Sequence, residues 1–177
     1  DIKKSIYYLT QSANFNNSYA QCAPGTIFLE EKEFYNIKLG IKYLTLSSKQ
    51  NNEYSQYLLG KIYFDSILVP RNINKSIEYF TLSANQNFVE SISFLGEIYY
   101  SNKYIKKDIN KAIHYFKEAS CYNDSISKNY LGVIYKNGDG VPKNILAAIE
   151  YFEEAIKIDN DIPSIYNLSR IYYFGIE

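Results

Sequence analysis

The stretch YLGVIYKNGDGVPKNILAAIEYFEEAIK, residues 130 to 157, holds the only Gly-x-Gly of the chain, at Gly138 and Gly140. Glycines so spaced can let a backbone close around a phosphate. A dinucleotide fingerprint, however, needs a strand, then Gly-x-Gly-x-x-Gly, then a helix. Position 143 is Lys, and no alternating strand pattern precedes Gly138. The only histidine, His114, aligns with Glu78 and Glu150 in the repeat register described below, so it marks a polar, solvent-facing position. Cys22 and Cys121 form no Cys-x-x-Cys and no Cys/His cluster of the kind that holds zinc. Glu153 and Glu154 are adjacent, and adjacent residues diverge on a helix. No nucleophile, base and orienting group come together, so no catalytic residue, metal site or cofactor is expected.

Composition narrows the field further. The chain has 177 residues, with 19 basic against 19 acidic side chains, and a nucleic-acid binder usually carries a basic surplus. No apolar run approaches the roughly 18 residues of a membrane span, so no direct membrane insertion is expected. Two cysteines do not make a disulfide framework. The Asn-x-Ser sequons at Asn16, Asn74, Asn123 and Asn167 are what a chain rich in Asn and Ser produces by chance. No stretch reads as a signal peptide. The first residue is Asp1, so a processed product or an excised piece is expected. There is no Trp and no Met, but there are 20 Tyr and 10 Phe, an aromatic load that needs a cause.

Internal repetition supplies the cause. Leu59-Gly60, Leu95-Gly96 and Leu131-Gly132 stand 36 residues apart, and Ile62-Tyr63, Ile98-Tyr99 and Ile134-Tyr135 follow at the same step. So do Tyr79-Phe80, Tyr115-Phe116 and Tyr151-Phe152. Outward the register slips by one: Gly25 with Ile27-Phe28, then Tyr43-Leu44 and Tyr8-Leu9, then Leu168, Ser169 and Ile171-Tyr172. Nine of the 20 tyrosines are therefore repeat positions that packing explains.

Each unit reads as two helices. In SISFLGEIYYS, Phe94, Leu95, Ile98 and Tyr99 share one face. Gly96 sits mid-helix, at about 1 kcal/mol against Ala, which points to close approach of a neighbouring helix. In DINKAIHYFKEAS, the apolar stripe is Ala112, Ile113, Phe116 and Ala119, and Asp108 or Asn110 can cap the start. The joints FDSILVPRN, SNKYIKKD and KNGDGVPKN carry the breakers, with Pro70 and Pro142 equivalent. Gly138 and Gly140 therefore read as positive-φ positions in a tight inter-helix turn.

The pattern resembles the Sel-1-like repeat family, a relative of the tetratricopeptide repeat. That family reads approximately Ala-x3-Leu-Gly-x2-Tyr-x2-Gly-x-Gly-Val-x2-Asp-x2-Lys-Ala-x2-Tyr-Phe-x2-Ala. Residues 127 to 156 match closely, through Leu131, Gly132, Tyr135, Gly138, Gly140, Val141, Ala148, Tyr151, Phe152 and Ala155. Residues 91 to 119 put Tyr104 and Ile105 in place of the loop glycines, and residues 55 to 84 also lack them. Residues 19 to 48 are the poorest match: Pro24 holds the Leu position and Gly40 the helix Ala. Relatives with a disulfide in every unit carry paired cysteines per repeat, which this chain lacks.

The resemblance implies an all-α, right-handed α-solenoid of tandem antiparallel helix pairs, ten helices and no strand. One continuous array is expected over 1–177: a half unit at 1–13, units near 18–48, 54–84, 90–120 and 125–157, and a half unit at 162–175. It ends mid-repeat on apolar residues, so the array is expected to continue in a longer protein. The implied function is a non-catalytic scaffold or adaptor binding a protein or peptide partner along a concave groove. The alternatives are a peptide- or peptidoglycan-fragment-binding module, or the interaction region attached to a separate catalytic domain such as a kinase. By analogy with tetratricopeptide arrays, the first helices line the groove. The positions two before and one after each Leu-Gly motif then face it: Tyr57 and Lys61, Ser93 and Glu97, Asn129 and Val133, Tyr166 and Arg170. Phe64, Tyr100, Lys136 and Tyr173 follow on the same helices.

Overall fold

In a computed structural model of the chain, residues 2–14, 17–65 and 67–175 are described. Asn16, the first sequon, lies outside them, as do Asp1 and the last two residues. Ten α-helices follow one another: α1 (Ile2–Ala13), α2 (Ser18–Glu30), α3 (Ile37–Lys49), α4 (Glu53–Asp65), α5 (Ile73–Ala84), α6 (Val89–Tyr100), α7 (Ile109–Ser120), α8 (Ser125–Asn137), α9 (Ile145–Asp159) and α10 (Ile162–Phe174). A single 3-10 turn, Lys32–Phe34, interrupts the series, and there is no strand among the described residues.

The helix starts are written into the sequence at the repeat step. Asn36, Asn72, Asp108 and Asn144 each accept a hydrogen bond from the backbone N–H three residues on, at 3.0 to 3.1 Å. The N-caps thus open α3, α5, α7 and α9 alike. Of the two candidates at α7, Asp108 is the cap. Asn17, Asn52, Asp124 and Asp161 cap α2, α4, α8 and α10 in the same way. Second helices end on another periodic device. Asn51, Asn87, Asn123 and Asn160 have φ of 59, 63, 60 and 58°, a left-handed conformation that Asn tolerates better than most residues. Gly138 and Gly140, at φ 75 and 71°, occupy the same region as the turn reading expects. Gly138 closes α8, its N–H bonded to the Ile134 carbonyl.

The chain forms two compact units, Asp1–Ser91 and Ile92–Glu177. In the first, α2 packs on α3 and α4 on α5. Cys22, Leu44, Leu59 and Ile62 form its buried cluster. In the second, α8 packs on α9 and α9 on α10. Its buried clusters are Ala112, Phe116, Leu131 and Ile134, and Ala148, Phe152 and Ile171.

The mid-helix glycines are explained by aromatic pegs. A Cβ on Gly60 would lie 2.7 Å from the Phe80 ring; on Gly96, 2.6 Å from Phe116; on Gly132, 2.5 Å from Phe152. Each Phe is fully buried. The ring lies directly on the partner helix backbone, so the entropy cost of glycine is offset by aromatic burial. Above each peg the tyrosines stack: Tyr63 on Tyr79, Tyr99 on Tyr115 and Tyr135 on Tyr151, with centroids 5.8, 5.8 and 5.6 Å apart. The Lys75 and Lys111 ammoniums sit 4.7 and 4.8 Å from the Tyr63 and Tyr99 rings, within cation–π range.

Candidate partner-binding face

In the first unit, Tyr57, Lys61 and Phe64 project from α4 and are all half-buried. Tyr57 lies 5.2 Å from Phe88 and 6.0 Å from Phe80 between centroids, with the Lys61 ammonium 5.7 Å from its own ring. It is thus a packed side chain as well as a surface one, and burial pushes its hydroxyl pKa up. Lys61 borders a hollow of about 280 Å³ whose apolar lining includes Leu29 of α2 and Leu58 and Ile62 of α4. The hollow is therefore built mainly by two successive first helices, with Lys61, Glu30 and Asp65 at its rim.

The second unit divides its predicted residues more sharply. Ser93 is buried, its hydroxyl donating to Asp124 at 2.9 Å and shared with Ser127 at 3.1 Å. It belongs to an internal seam, and the positional rule that placed it on the groove misses this use. Val133 packs against the Ala148–Phe152–Ile171 cluster. The Tyr100 hydroxyl donates to Asp139 at 3.0 Å while the Lys107 ammonium lies 4.2 Å from its ring. Burial and then the Asp139 bond push the Tyr100 pKa up to about 12. Glu97 and Asn129 come together on a hollow of about 390 Å³ that Tyr130 also lines. The Tyr130 hydroxyl donates to the Glu97 carboxylate across 3.4 Å. Burial raises the Glu97 pKa, and the Tyr130 bond only partly counters it. Tyr130 stacks on Phe116 at 4.6 Å, and burial followed by the Glu97 charge takes its pKa to about 12. Lys136 and Arg170 meet on a further hollow of about 340 Å³. Tyr166 and Tyr173 are 61% and 83% exposed, so on α10 the predicted aromatic positions are open to a ligand.

Sequence reasoning missed the residue just before each Leu, which is Leu58 or Tyr130 in these hollows. The signal was present: Leu58, Phe94 and Tyr130 are apolar or aromatic at the repeat step. Asn129 is half-buried and donates to Ser164 at 2.7 Å, while Phe64 presents its backbone carbonyl to Arg71 at 2.7 Å.

The reactive candidates are placed plainly. His114 is exposed on α7, 3.7 Å from the Glu118 carboxylate. Glu154 pairs with Lys128. Cys22 is buried, which pushes its thiol pKa up, and Cys121 is exposed; neither is in a disulfide. Among the described residues no group of three or more His, Cys, Asp or Glu side chains could hold a metal, and no helix is long and apolar enough to cross a membrane. Gly138 and Gly140 follow a helix, α8, which is not the strand–loop–helix geometry of a dinucleotide cradle.

A profile for the Sel1 repeat matches residues 1–14, 29–52, 53–88, 89–121, 125–160 and 162–177. The chain belongs to the Sel1 repeat family. Its fold class is accordingly that of the all-α Sel1-like solenoid of tandem helix pairs. Similar solved structures agree. One is c5321, a protective antigen of uropathogenic Escherichia coli strains with an SLR fold, at TM-score 0.90 and 20% identity over 96% of this chain and 36% of that one. A Sel1 repeat protein from Oxalobacter formigenes gives TM-score 0.81 and 19% identity over 96% of this chain and 49% of that one. Cysteine-rich protein B of Helicobacter pylori gives TM-score 0.55 and 27% identity over 76% of this chain and 96% of that one. The Sel1 repeats here thus span about a third to a half of the first two structures. No curated protein matches the sequence. Sel1 repeats are generally protein-interaction modules.

Proposed function

We propose that the chain is a non-catalytic adaptor region that binds a partner protein through the face formed by its first helices. The division of labour between the two helices of each repeat carries this reading. Second helices spend their largest side chains on packing: Phe80, Phe116, Phe152 and Leu44 are fully buried. Of the first-helix positions that vary between repeats, Ser93 and Val133 pack inside, but Lys61, Glu97, Asn129 and Lys136 line hollows and Tyr166, Arg170 and Tyr173 stand exposed. Tyr gives wide contact area at low entropy cost, and Arg gives charge-assisted hydrogen bonds. The hollows are open rather than enclosed, which suits a protein surface better than a small molecule surrounded on all sides.

The test is site-specific photocrosslinking with the whole chain as bait. A photoreactive residue at Tyr57 or Tyr173 is expected to capture a discrete partner, and the same residue at His114, on a second helix, is expected to capture none. Once a partner is in hand, Tyr166→Ala and Arg170→Ala should each weaken binding by about 1 to 2 kcal/mol. Both side chains are exposed, so the melting temperature should stay near the parent value. Capture from position 114 alone, with parent-like binding of the first-helix variants, would sink the proposal.

A further inference from the structure

The hollow of about 340 Å³ in the second unit collects cations in a chain whose charges otherwise balance. Lys136 from the end of α8, Lys143 from the turn into α9 and Arg170 from α10 all line it, with Asn137 beside them and no acidic residue among the described lining residues. Ile145, the first residue of α9, lines it too, so the positive end of that helix adds to the field. The carboxyl ends of α8 and α10 offset part of this charge, but about half a charge each is less than three full cations.

Two of the cations have neighbours that orient them. The Lys136 ammonium donates to the Asn167 side chain at 2.8 Å. The Arg170 guanidinium lies 5.9 Å from the Tyr166 ring and 5.6 Å from the Phe174 ring. Lys143 springs from beside the Gly138 turn, its Cβ 3.3 Å from where a Gly138 Cβ would be. Burial and then the nearby Arg170 charge lower the Lys136 pKa, and like charges so placed repel. An anion placed among them relieves that repulsion and gains several donors at once.

We infer that this hollow is an anion subsite that receives an acidic side chain or the C-terminal carboxylate of an extended segment of the partner protein. The inference rests on the partner-binding reading above, and it fixes one chemical feature of the partner. Apolar flanking residues of such a segment have Ile171 and Phe174 to pack on.

The experiment uses the whole chain and an acetylated Ser-Asp repeat peptide with a free C-terminus. The controls are the same peptide with Asn for Asp and an amidated end, and inorganic phosphate. Binding is followed by calorimetry and by the side-chain N–H resonances of Lys136 and Arg170. The acidic peptide is expected to bind, to shift both resonances and to weaken as salt is raised. Lys136→Gln and Arg170→Gln should each reduce its affinity about tenfold, whereas Lys117→Gln on α7 should not. Parent-like binding by the two variants overturns the inference, as does equal binding of the neutral peptide or no binding of either peptide. Phosphate binding as tight as the peptide's also overturns it, because the hollow would then take free anions. Crosslinking from position 57, in the other unit, judges the partner-binding reading separately, so either can fail alone.

Discussion

In the α8–α9 pair, the Phe152 ring of the second helix rests on Gly132 of the first, and Ala148 completes the seam. The α2–α3 pair interlocks in both directions instead. Leu44 of α3 fills the space over Gly25, and Leu29 of α2 fills the space over Gly40, where Cβ atoms would come within 2.8 and 2.5 Å. Pro24 is fully buried inside α2 at the position held by Leu131 in α8. The two pairs show that the repeat conserves close backbone approach, while the side chain that exploits it can be a ring from one helix or a leucine from each.

The polar seams differ as well. The first unit uses neutral ladders: Ser55 donates to Ser47, Ser47 to the Ser18 carbonyl, and Gln86 to Gln56. The second unit uses carboxylates, with Ser93 on Asp124, Ser125 on Asp159, and both Tyr100 and Lys107 on Asp139. Neutral ladders carry no net charge for salt to screen. Bonds to carboxylates are charge-assisted and are screened, so the second unit should be the one whose stability falls more as salt is raised.

The largest expected effects test the pegs. Phe152→Ala should cost about 3 to 5 kcal/mol and Leu44→Ala about 2 to 5 kcal/mol, read from denaturant unfolding of the whole chain. A small loss for Leu44→Ala would mean that the α2–α3 pair is loosely packed and that the likeness between the pairs is only formal. Next come the glycines. Gly132→Ala should cost about 1 to 3 kcal/mol by overpacking. Combining it with Phe152→Leu should recover part of that loss as a coupling of about 0.5 kcal/mol or more, because the obstructing atoms are all in the ring. Gly25→Ala should resist such rescue, since its Cβ also meets the Leu44 backbone nitrogen at 3.1 Å.

The helices and their pairing were legible because the residues that set them recur: Leu-Gly, Ile-Tyr and Tyr-Phe define faces, and Asp108 stands where a cap is needed. The first repeat was hardest to read because two exchanged leucines leave no Phe in register. The left-handed Asn51, Asn87, Asn123 and Asn160 went unread, although their spacing is as regular as that of the glycines. The candidate face was less legible. A positional rule knows which way Ser93 points but not that Asp124 is waiting for its hydroxyl. It selects Tyr57 without seeing Phe80 and Phe88 around it, and it passes over Tyr130 and Lys143, which reach their hollows from outside the chosen offsets.

The turn between α8 and α9 distinguishes its two glycines. Both have positive φ, so Ala at either costs about 1 kcal/mol. At Gly140 a Cβ would also stand 2.8 Å from two Ile109 side-chain carbons, while at Gly138 the nearest atoms are 3.3 Å away. Gly140→Ala should therefore be the more destabilising by thermal melting. Equal losses would show that Ile109 gives way freely.

The smallest expected effect concerns pH and Glu97, the second unit's partly buried carboxylate. Burial raises the Glu97 pKa above its ordinary 4.5, and the Tyr130 hydrogen bond does not cancel the rise. An acid whose folded-state pKa is raised binds its proton more tightly when folded. Its contribution to stability is thus complete below the ordinary value and is lost as pH rises through the folded one. Above that window the carboxylate is ionised at a desolvation cost in the folded state. Glu97→Gln keeps a carbonyl to accept from Tyr130 and removes the ionisation. Relative to the parent, the Glu97→Gln variant should therefore gain stability as pH rises from about 4 to 8, by a fraction of what full burial would give, because the side chain is partly solvated. Urea unfolding of both proteins across that range reads the difference directly. A constant difference would mean that solvent screens Glu97 fully; a gain that grows as pH falls would reverse the assigned sign.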